Sequence, residues 1–180
     1  RFVNIIHVPK TASSPESLVF SLIGCVGLMG INTSQNLIGV NNINTANAQA
    51  GLIWPVLVRK VLKEKSLQTM RTKLISAPVT SGHNYLIASP EGGEHWEITP
   101  TLQEKVASLG EKEPGEIFHT NHCLGKQIQL SEDPSSLSSP THVRYDLLGK
   151  QTPEVKTFDQ LKSLLMDHEG YPKSICSHFQ

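Results

Sequence analysis

The chain has 180 residues, of which 38% are hydrophobic and 18% charged, enough to build one sizeable core, and this length favours a single domain over residues 1 to 180. Its 16 basic and 16 acidic residues leave no net charge, and their thin spread excludes the basic surface that nucleic-acid binding needs. The apolar runs are too short and too interrupted to span a membrane, so we expect a soluble protein.

The first third of the sequence predicts an antiparallel meander of strands. Apolar runs lie at residues 5–7, 17–23, 25–31 and 37–43, and turn-forming residues separate them. The hydrophobic period then changes at Trp54, which predicts an amphipathic helix with Arg59 on its polar face. A second short helix is expected over residues 67–76, ended by Pro78.

Strands and then helices are predicted for the rest of the chain. We expect strands at residues 84–88, 95–98 and 116–119, followed by a loop over residues 131–140. Thr141 is expected to cap a helix that ends before Gly149, and Thr157 with Gln160 predicts a capping box for a last helix. Grouped strands followed by helices indicate an α+β fold in which helices cover an antiparallel sheet.

Three polar clusters follow apolar segments in a fixed order. They are Ser81-Gly82-His83-Asn84-Tyr85, Phe118-His119-Thr120-Asn121-His122-Cys123-Leu124 and Tyr171-Pro172-Lys173-Ser174-Ile175-Cys176. The middle cluster is the strongest site candidate because it places short polar side chains at the rim of the predicted sheet. Taken alone, Thr120 and Asn121 would equally fit a turn held by their side chains.

In this order the clusters resemble the acyl-coenzyme A:6-aminopenicillanic acid acyltransferase family of N-terminal-nucleophile hydrolases. Asn32-Thr33 and Glu97-Ile98-Thr99-Pro100 resemble further segments of that family in the same order. The resemblance implies an αββα four-layer sandwich, of which this chain would be a part lacking N- and C-terminal strands. It also implies an autoprocessed enzyme whose catalytic cysteine lies upstream of Arg1, and an oxyanion-hole role for the side-chain amide of Asn121.

The cysteines and histidines allow other interpretations. His119, His122 and Cys123 suggest zinc ligands, but on a strand the two histidines would point to opposite faces, and no second ligand pair is present. Cys25 lies in an apolar run, Cys176 matches a non-catalytic family position, and three cysteines without a CxxC pair leave the compartment open, with the cytoplasm favoured. We therefore expect no metal and no nucleophile within this chain.

The expected activity is hydrolysis or transfer of the acyl group of a linear amide through an acyl-enzyme, without a cofactor. The expected partners are a small acyl-amide or acyl-thioester and the companion peptide of autocleavage, with no nucleic acid and no membrane. Candidate supporting residues of the site are Thr99, His83, Asn84, Tyr85, His119 and Thr120. The alternative is a non-catalytic fragment or ligand-binding domain on the same scaffold.

Overall fold

A computed structural model describes residues 2–111 and 115–176 of the chain. Within these ranges seven strands form one antiparallel sheet, and each strand pairs with its neighbour in sequence. The strands are β1 (Val3–Val8), β2 (Ser17–Leu22), β3 (Met29–Asn32), β4 (Leu37–Asn42), β5 (His83–Ser89), β6 (Gly92–Ile98) and β7 (Gln103–Gly110). The α-helices are α1 (Trp54–Val61), α2 (Leu67–Ile75), α3 (Thr141–Gln151) and α4 (Phe158–Leu165). The structure is therefore a mixed α and β fold built on a meander.

The helices α1 and α2 cover one face of the sheet. Leu57, Val61 and Met70 of these helices pack in one core with Val19 and Tyr85 of the strands. All five side chains are fully buried. α1 has Pro55 in its first turn, where the missing N–H costs nothing. Ser66 is the N-cap of α2, and its hydroxyl accepts a hydrogen bond from the N–H of Thr69. This side of the sheet holds the main hydrophobic core.

The opposite face is covered over β4 to β6 by residues 115–176 and is exposed over β1 to β3. Residues that pair across antiparallel strands share a face, so Ile5 lies beside Phe20, and Leu18 lies beside Ile31. We call this exposed surface the open face. Its apolar side chains, each between 41% and 61% exposed, are Val3, Ile5, Leu18, Leu22, Met29 and Ile31.

Several predicted elements differ from the observed ones. Residues 116–119 are not a strand, and Thr141 is the first residue of α3 rather than its cap. Gly149 lies inside α3 instead of beyond it, and the strand expected at 25–31 is reduced to β3. The edge strand β7 was not predicted at all, because its run of polar residues hides the alternation. The capping box at Thr157 and Gln160 is confirmed.

Among the described residues, no helix is long and apolar enough to cross a membrane.

Candidate functional site

The segment from His119 to Gly125 is a loop whose backbone is held by side chains of distant elements. Glu97 of β6 accepts hydrogen bonds from the N–H groups of Leu124 (2.7 Å) and Gly125 (2.9 Å). The Oε1 atom of Glu132 accepts from the N–H of Cys123 at 3.0 Å. These carboxylates satisfy backbone donors that a strand ladder would otherwise satisfy, which explains why the loop keeps a defined path without being a strand.

His119 forms a fully buried ion pair with Glu97. Its Nε2 lies 2.8 Å from Oε1 of Glu97, and neither side chain is exposed. Its Nδ1 lies 2.8 Å from the carbonyl oxygen of Thr120. Because both nitrogens face acceptors, both must donate, and the ring is the imidazolium form. The pair therefore anchors the start of the loop with charge-assisted hydrogen bonds.

The side chain of Asn121 is fixed at both of its polar atoms. Its Nδ2 donates to the carbonyl oxygen of Asn42 at 3.0 Å, and its Oδ1 accepts from Arg144 at 2.8 Å. The Arg144 donor sets the amide orientation, since a guanidinium can pair only with the oxygen. The backbone N–H of Asn121 donates to the hydroxyl of Thr141 at 2.7 Å. Among the described residues, the second N–H of Nδ2 has no acceptor.

A polar cleft of about 440 Å³ opens at this amide. Its walls are Asn42, Asn44, Asn121, Ser135, Ser136 and Ser139. Asn44 and Ser135 bridge the cleft wall through a 3.0 Å hydrogen bond. The cleft is thus lined by side-chain amides and small hydroxyls.

Two buried neutral histidines flank the ion pair. Burial lowers the pKa of His95 to about 4, and the charge of His119 lowers it further. A hydrogen bond to the backbone of Ile117 and the negative charge of Glu97 partly oppose this shift. Burial, followed by the charges of His142 and His119, lowers the pKa of His122 to about 4. The ring of His119 lies 5.9 Å from that of His95 and 6.4 Å from that of His122. At neutral pH His95 and His122 are therefore neutral.

The expectation that His119 and His122 point to opposite faces of a strand is wrong, because residues 116–119 form no strand and the two rings stack. Among residues 2–111 and 115–176, no three His, Cys, Asp or Glu side chains are placed to hold a metal ion.

Cys123 is a poor nucleophile in this setting. It is 1% exposed, and burial, with the nearby carboxylates of Glu132 and Glu97, raises the pKa of its thiol well above the ordinary range. A thiol must ionise to attack a carbonyl carbon, so a buried thiol beside two carboxylates stays protonated and inert.

The remaining sequence-predicted residues lie in different places. His83 and Tyr85 point to the helix-covered face, where the ring of His83 lies 5.7 Å from that of Trp54. Asn84 points to the opposite face and bonds His95. The hydroxyl of Thr99 accepts from the N–H of Leu102 and stabilises the β6–β7 turn. His119, Thr120 and Asn121 are the predicted residues that the loop brings together.

Sequence reasoning did not assign site roles to Glu97, Thr141 and Arg144. Glu97 carried a signal, since a charged residue within the apolar end of a predicted strand must find a partner when buried. Thr141 bonds Thr120 as well as the N–H of Asn121. Arg144 follows it by one helical turn on α3, and neither residue differs in pattern from an ordinary helix start.

No protein-family profile and no curated protein matches the chain. Among solved structures, it is similar to a penicillin V acylase from Agrobacterium tumefaciens, with a TM-score of 0.45 and 13% identity. The match covers 78% of this chain and 41% of the acylase chain, so the chain spans less than half the length of that protein.

Proposed function

We propose that this chain is part of an autoprocessed cysteine N-terminal-nucleophile enzyme that hydrolyses linear amides or transfers their acyl group. The observation that carries the proposal is Asn121, whose side-chain amide is fixed by Asn42 and Arg144 and lines a polar cleft. An oxyanion donor acts best when it is fixed before the reaction starts. The type of reaction is proposed from the family-like segments that precede and follow Asn121 in the sequence.

In the proposed reaction, a cysteine supplied from upstream of Arg1 attacks the amide carbonyl carbon. Its own α-amino group removes the thiol proton and later delivers a proton to the departing amine. The carbonyl oxygen becomes negative and accepts the N–H of Asn121. Collapse breaks the carbon–nitrogen bond and leaves a thioester, which water or an amine then attacks, so the acid or a new amide is released.

The open face supports the proposal that the complete protein is a four-layer αββα sandwich. Six exposed apolar side chains on one face of β1 to β3 form a surface that an antiparallel sheet normally buries against another layer. A second sheet packed about 10 Å away would cover them. In this proposal, segments of the longer protein outside residues 1–180 provide that sheet.

The test is made on the longer protein after maturation. Intact mass and N-terminal sequencing should detect a companion chain that begins with Cys. In matured material, Asn121→Ala should lower kcat roughly a hundred- to a thousand-fold on acyl-amide substrates with a smaller change in KM. Asn47→Ala, which removes an amide that lies outside the cleft and bonds Thr101, is the matched control and should keep a normal kcat. Normal kcat together with a much lower melting temperature for Asn121→Ala would make the residue a structural turn and defeat the proposal.

The chain by itself should be inactive, since its one cysteine on the candidate loop is buried and protonated. Amide turnover by the isolated 180-residue chain that disappears in Cys123→Ala would place the nucleophile here and contradict the proposed mechanism.

The second candidate function is ligand binding without catalysis on the same scaffold. It is favoured by a separate apolar cavity of about 550 Å³ beneath α3 and α4. If no companion chain that begins with Cys is found, and small apolar molecules bind in that cavity, this alternative is favoured.

A further inference from the structure

The first turn of α3 is hydrogen-bonded to the part of the candidate loop that carries Asn121. The hydroxyl of Thr141 accepts from the N–H of Asn121 at 2.7 Å and donates to the hydroxyl of Thr120 at 2.9 Å. Arg144, three residues further along the helix, donates to Oδ1 of Asn121 at 2.8 Å. Residues three apart lie on the same side of a helix, so α3 holds Asn121 by its backbone and by its side chain together.

Arg144 lacks the partner that a half-buried arginine usually has. Charged side chains that leave the solvent are normally paired with a group of opposite charge. Among the described residues, no carboxylate forms an ion pair with Arg144, and burial lowers the pKa of its guanidinium. Arg71 shows the usual arrangement, because two of its nitrogen atoms donate to the buried carboxylate of Glu94. Charge pairing therefore does not explain why an arginine lies beside Asn121.

The contact with Arg144 does determine the orientation of the Asn121 amide. An amide oxygen only accepts hydrogen bonds and an amide nitrogen only donates them, and a half-turn of the group exchanges the two. In the observed orientation the oxygen faces the guanidinium, and the nitrogen faces the carbonyl oxygen of Asn42. The reversed orientation would set donor against donor and acceptor against acceptor. Of the hydrogen bonds that the described residues make to this amide, only the one to Asn42 would remain without Arg144.

Orientation decides whether the amide can stabilise negative charge on a substrate oxygen. An oxyanion donor has to point its N–H at the position where the charge develops, and it has to be fixed there before the reaction. A hydrogen bond from a cation to the amide oxygen also polarises the amide, which makes its N–H groups stronger donors. Both effects reach the substrate through Asn121.

We propose that Arg144 is a positioning residue of the candidate site, which holds the amide of Asn121 in its donor orientation through the hydrogen bond to Oδ1. This inference rests on the proposed acyl-transfer function. Arg144 is not among the described residues that line the polar cleft, so it acts on the amide and not on the substrate itself.

The kinetic test is a double-mutant cycle on the matured longer protein with acyl-amide substrates. Arg144→Met keeps the apolar stem and removes the donor, so kcat should fall roughly ten- to a hundredfold with little change in KM. Arg144→Lys keeps the charge and a donor and should recover part of this loss. In an Asn121→Ala background, Arg144→Met should cost no further activity, because both changes remove the same donor.

Arg59→Met is the matched control. It also removes a single hydrogen bond from a guanidinium to a neutral oxygen, the carbonyl of Val26, and it should keep a normal kcat.

A second measurement does not depend on activity. In the ¹⁵N-labelled 180-residue chain, heteronuclear relaxation of the side-chain NH₂ group of Asn121 reports how firmly the amide is held. In the unaltered chain and in Arg59→Met it should be as rigid as the backbone. In Arg144→Met its mobility should approach that of the exposed Asn4 amide, while the melting temperature changes little.

Equal rigidity of the Asn121 amide in the unaltered chain and in Arg144→Met would overturn the inference. A further loss of kcat when Arg144→Met is added to Asn121→Ala would do the same, because Arg144 would then act through another group. Normal kcat in Asn121→Ala alone would instead defeat the proposed function, and the relaxation measurement would still decide whether Arg144 orients the amide.

Discussion

At the scale of single residues, the buried pair of Glu97 and His119 determines the path of the candidate loop. Taking two charges out of water costs several kcal/mol per ion, and their attraction offsets this only when the geometry is good and other donors complete the set. Glu97 meets that condition, since it accepts from His119 and from two backbone N–H groups. The pair therefore fixes the start of the loop that carries Asn121.

Glu97→Gln should lower the free energy of unfolding by about 3 to 5 kcal/mol, because the imidazolium of His119 would remain buried without a counter-charge. Urea unfolding measures the loss. Glu16→Gln breaks the exposed pair with His7 and should change stability by no more than about 1 kcal/mol. The double variant Glu97→Gln with His119→Gln should recover part of the loss. Equal effects of Glu97→Gln and Glu16→Gln would show that the ion pair is not charged.

Stability should fall as the pH is lowered from about 6.5 towards 4. The pKa values of His95 and His122 are about 4 in the folded protein and near 6.5 in an unfolded chain. The unfolded state therefore binds more protons in this interval, so stability is complete above pH 6.5 and is lost on acidification. The urea midpoint should drop between pH 7 and 5. His122→Phe should flatten the profile, while His7→Gln, at an exposed site, should not.

At the scale of elements, residues 119–125 form a loop whose hydrogen bonds reach other elements instead of its own chain neighbours. Gly125 fits this environment because it has no side chain. A Cβ there would lie 2.5 Å from a carboxylate oxygen of Glu104 and 3.1 Å from one of Glu97. The same carboxylate of Glu104 accepts the N–H of Gln127, so it is not free to move away.

Gly125→Ala should therefore lower the melting temperature by several degrees, in line with other changes that overpack a constrained site. Gly149→Ala is the matched control, since it lies inside α3 with its nearest new contact at 3.4 Å from Phe118. Alanine is favoured over glycine in a helix interior by up to about 1 kcal/mol, so this variant should be as stable as the unaltered chain or more stable. Equal melting temperatures for the two variants would show that the carboxylates of Glu97 and Glu104 do not constrain the loop at Gly125.

Elements with strong hydrophobic periodicity were predictable from the sequence, and those that depend on distant partners were not. The apolar stripe of α1 matches its burial, and the strand predicted at residues 17–23 is present as β2. In β2, however, Ser17 and Ser21 are buried and Leu18 and Leu22 are exposed. β7 is an edge strand with an exposed charged side, so its pattern is weak. Residues 116–119 have strand propensity, but the loop that follows them is hydrogen-bonded to Glu97. Local propensity cannot predict these hydrogen bonds, because Glu97 and the loop lie more than twenty residues apart in the sequence.

The candidate site divides in the same way. Asn121 was proposed from a local cluster together with the family resemblance, whereas the residues that bond its side chain are spread over the chain. Arg144 lies 23 residues away and Asn42 lies 79 residues away. Only the fold brings them to one cleft.

At the scale of the whole molecule, the sheet is buried on one side and half exposed on the other. A small antiparallel sheet tolerates one wet face when that face is polar. The open face is apolar instead, and its residues are contiguous across three paired strands. Such a surface favours association with a further layer or with another copy of the chain.

Leu18→Lys should affect stability differently in the 180-residue chain and in the longer protein proposed above. In the 180-residue chain Leu18 is 50% exposed, so a lysine there should change the unfolding free energy by less than about 0.5 kcal/mol and should reduce self-association at high concentration. In the longer protein a second sheet would cover this position, and an unpaired ammonium would be buried at a cost of several kcal/mol. Leu137→Lys, at a site that is 73% exposed, should be neutral in both. The measurement is a pair of urea titrations for each variant, and a neutral Leu18→Lys in the longer protein would mean that no second sheet packs on the open face.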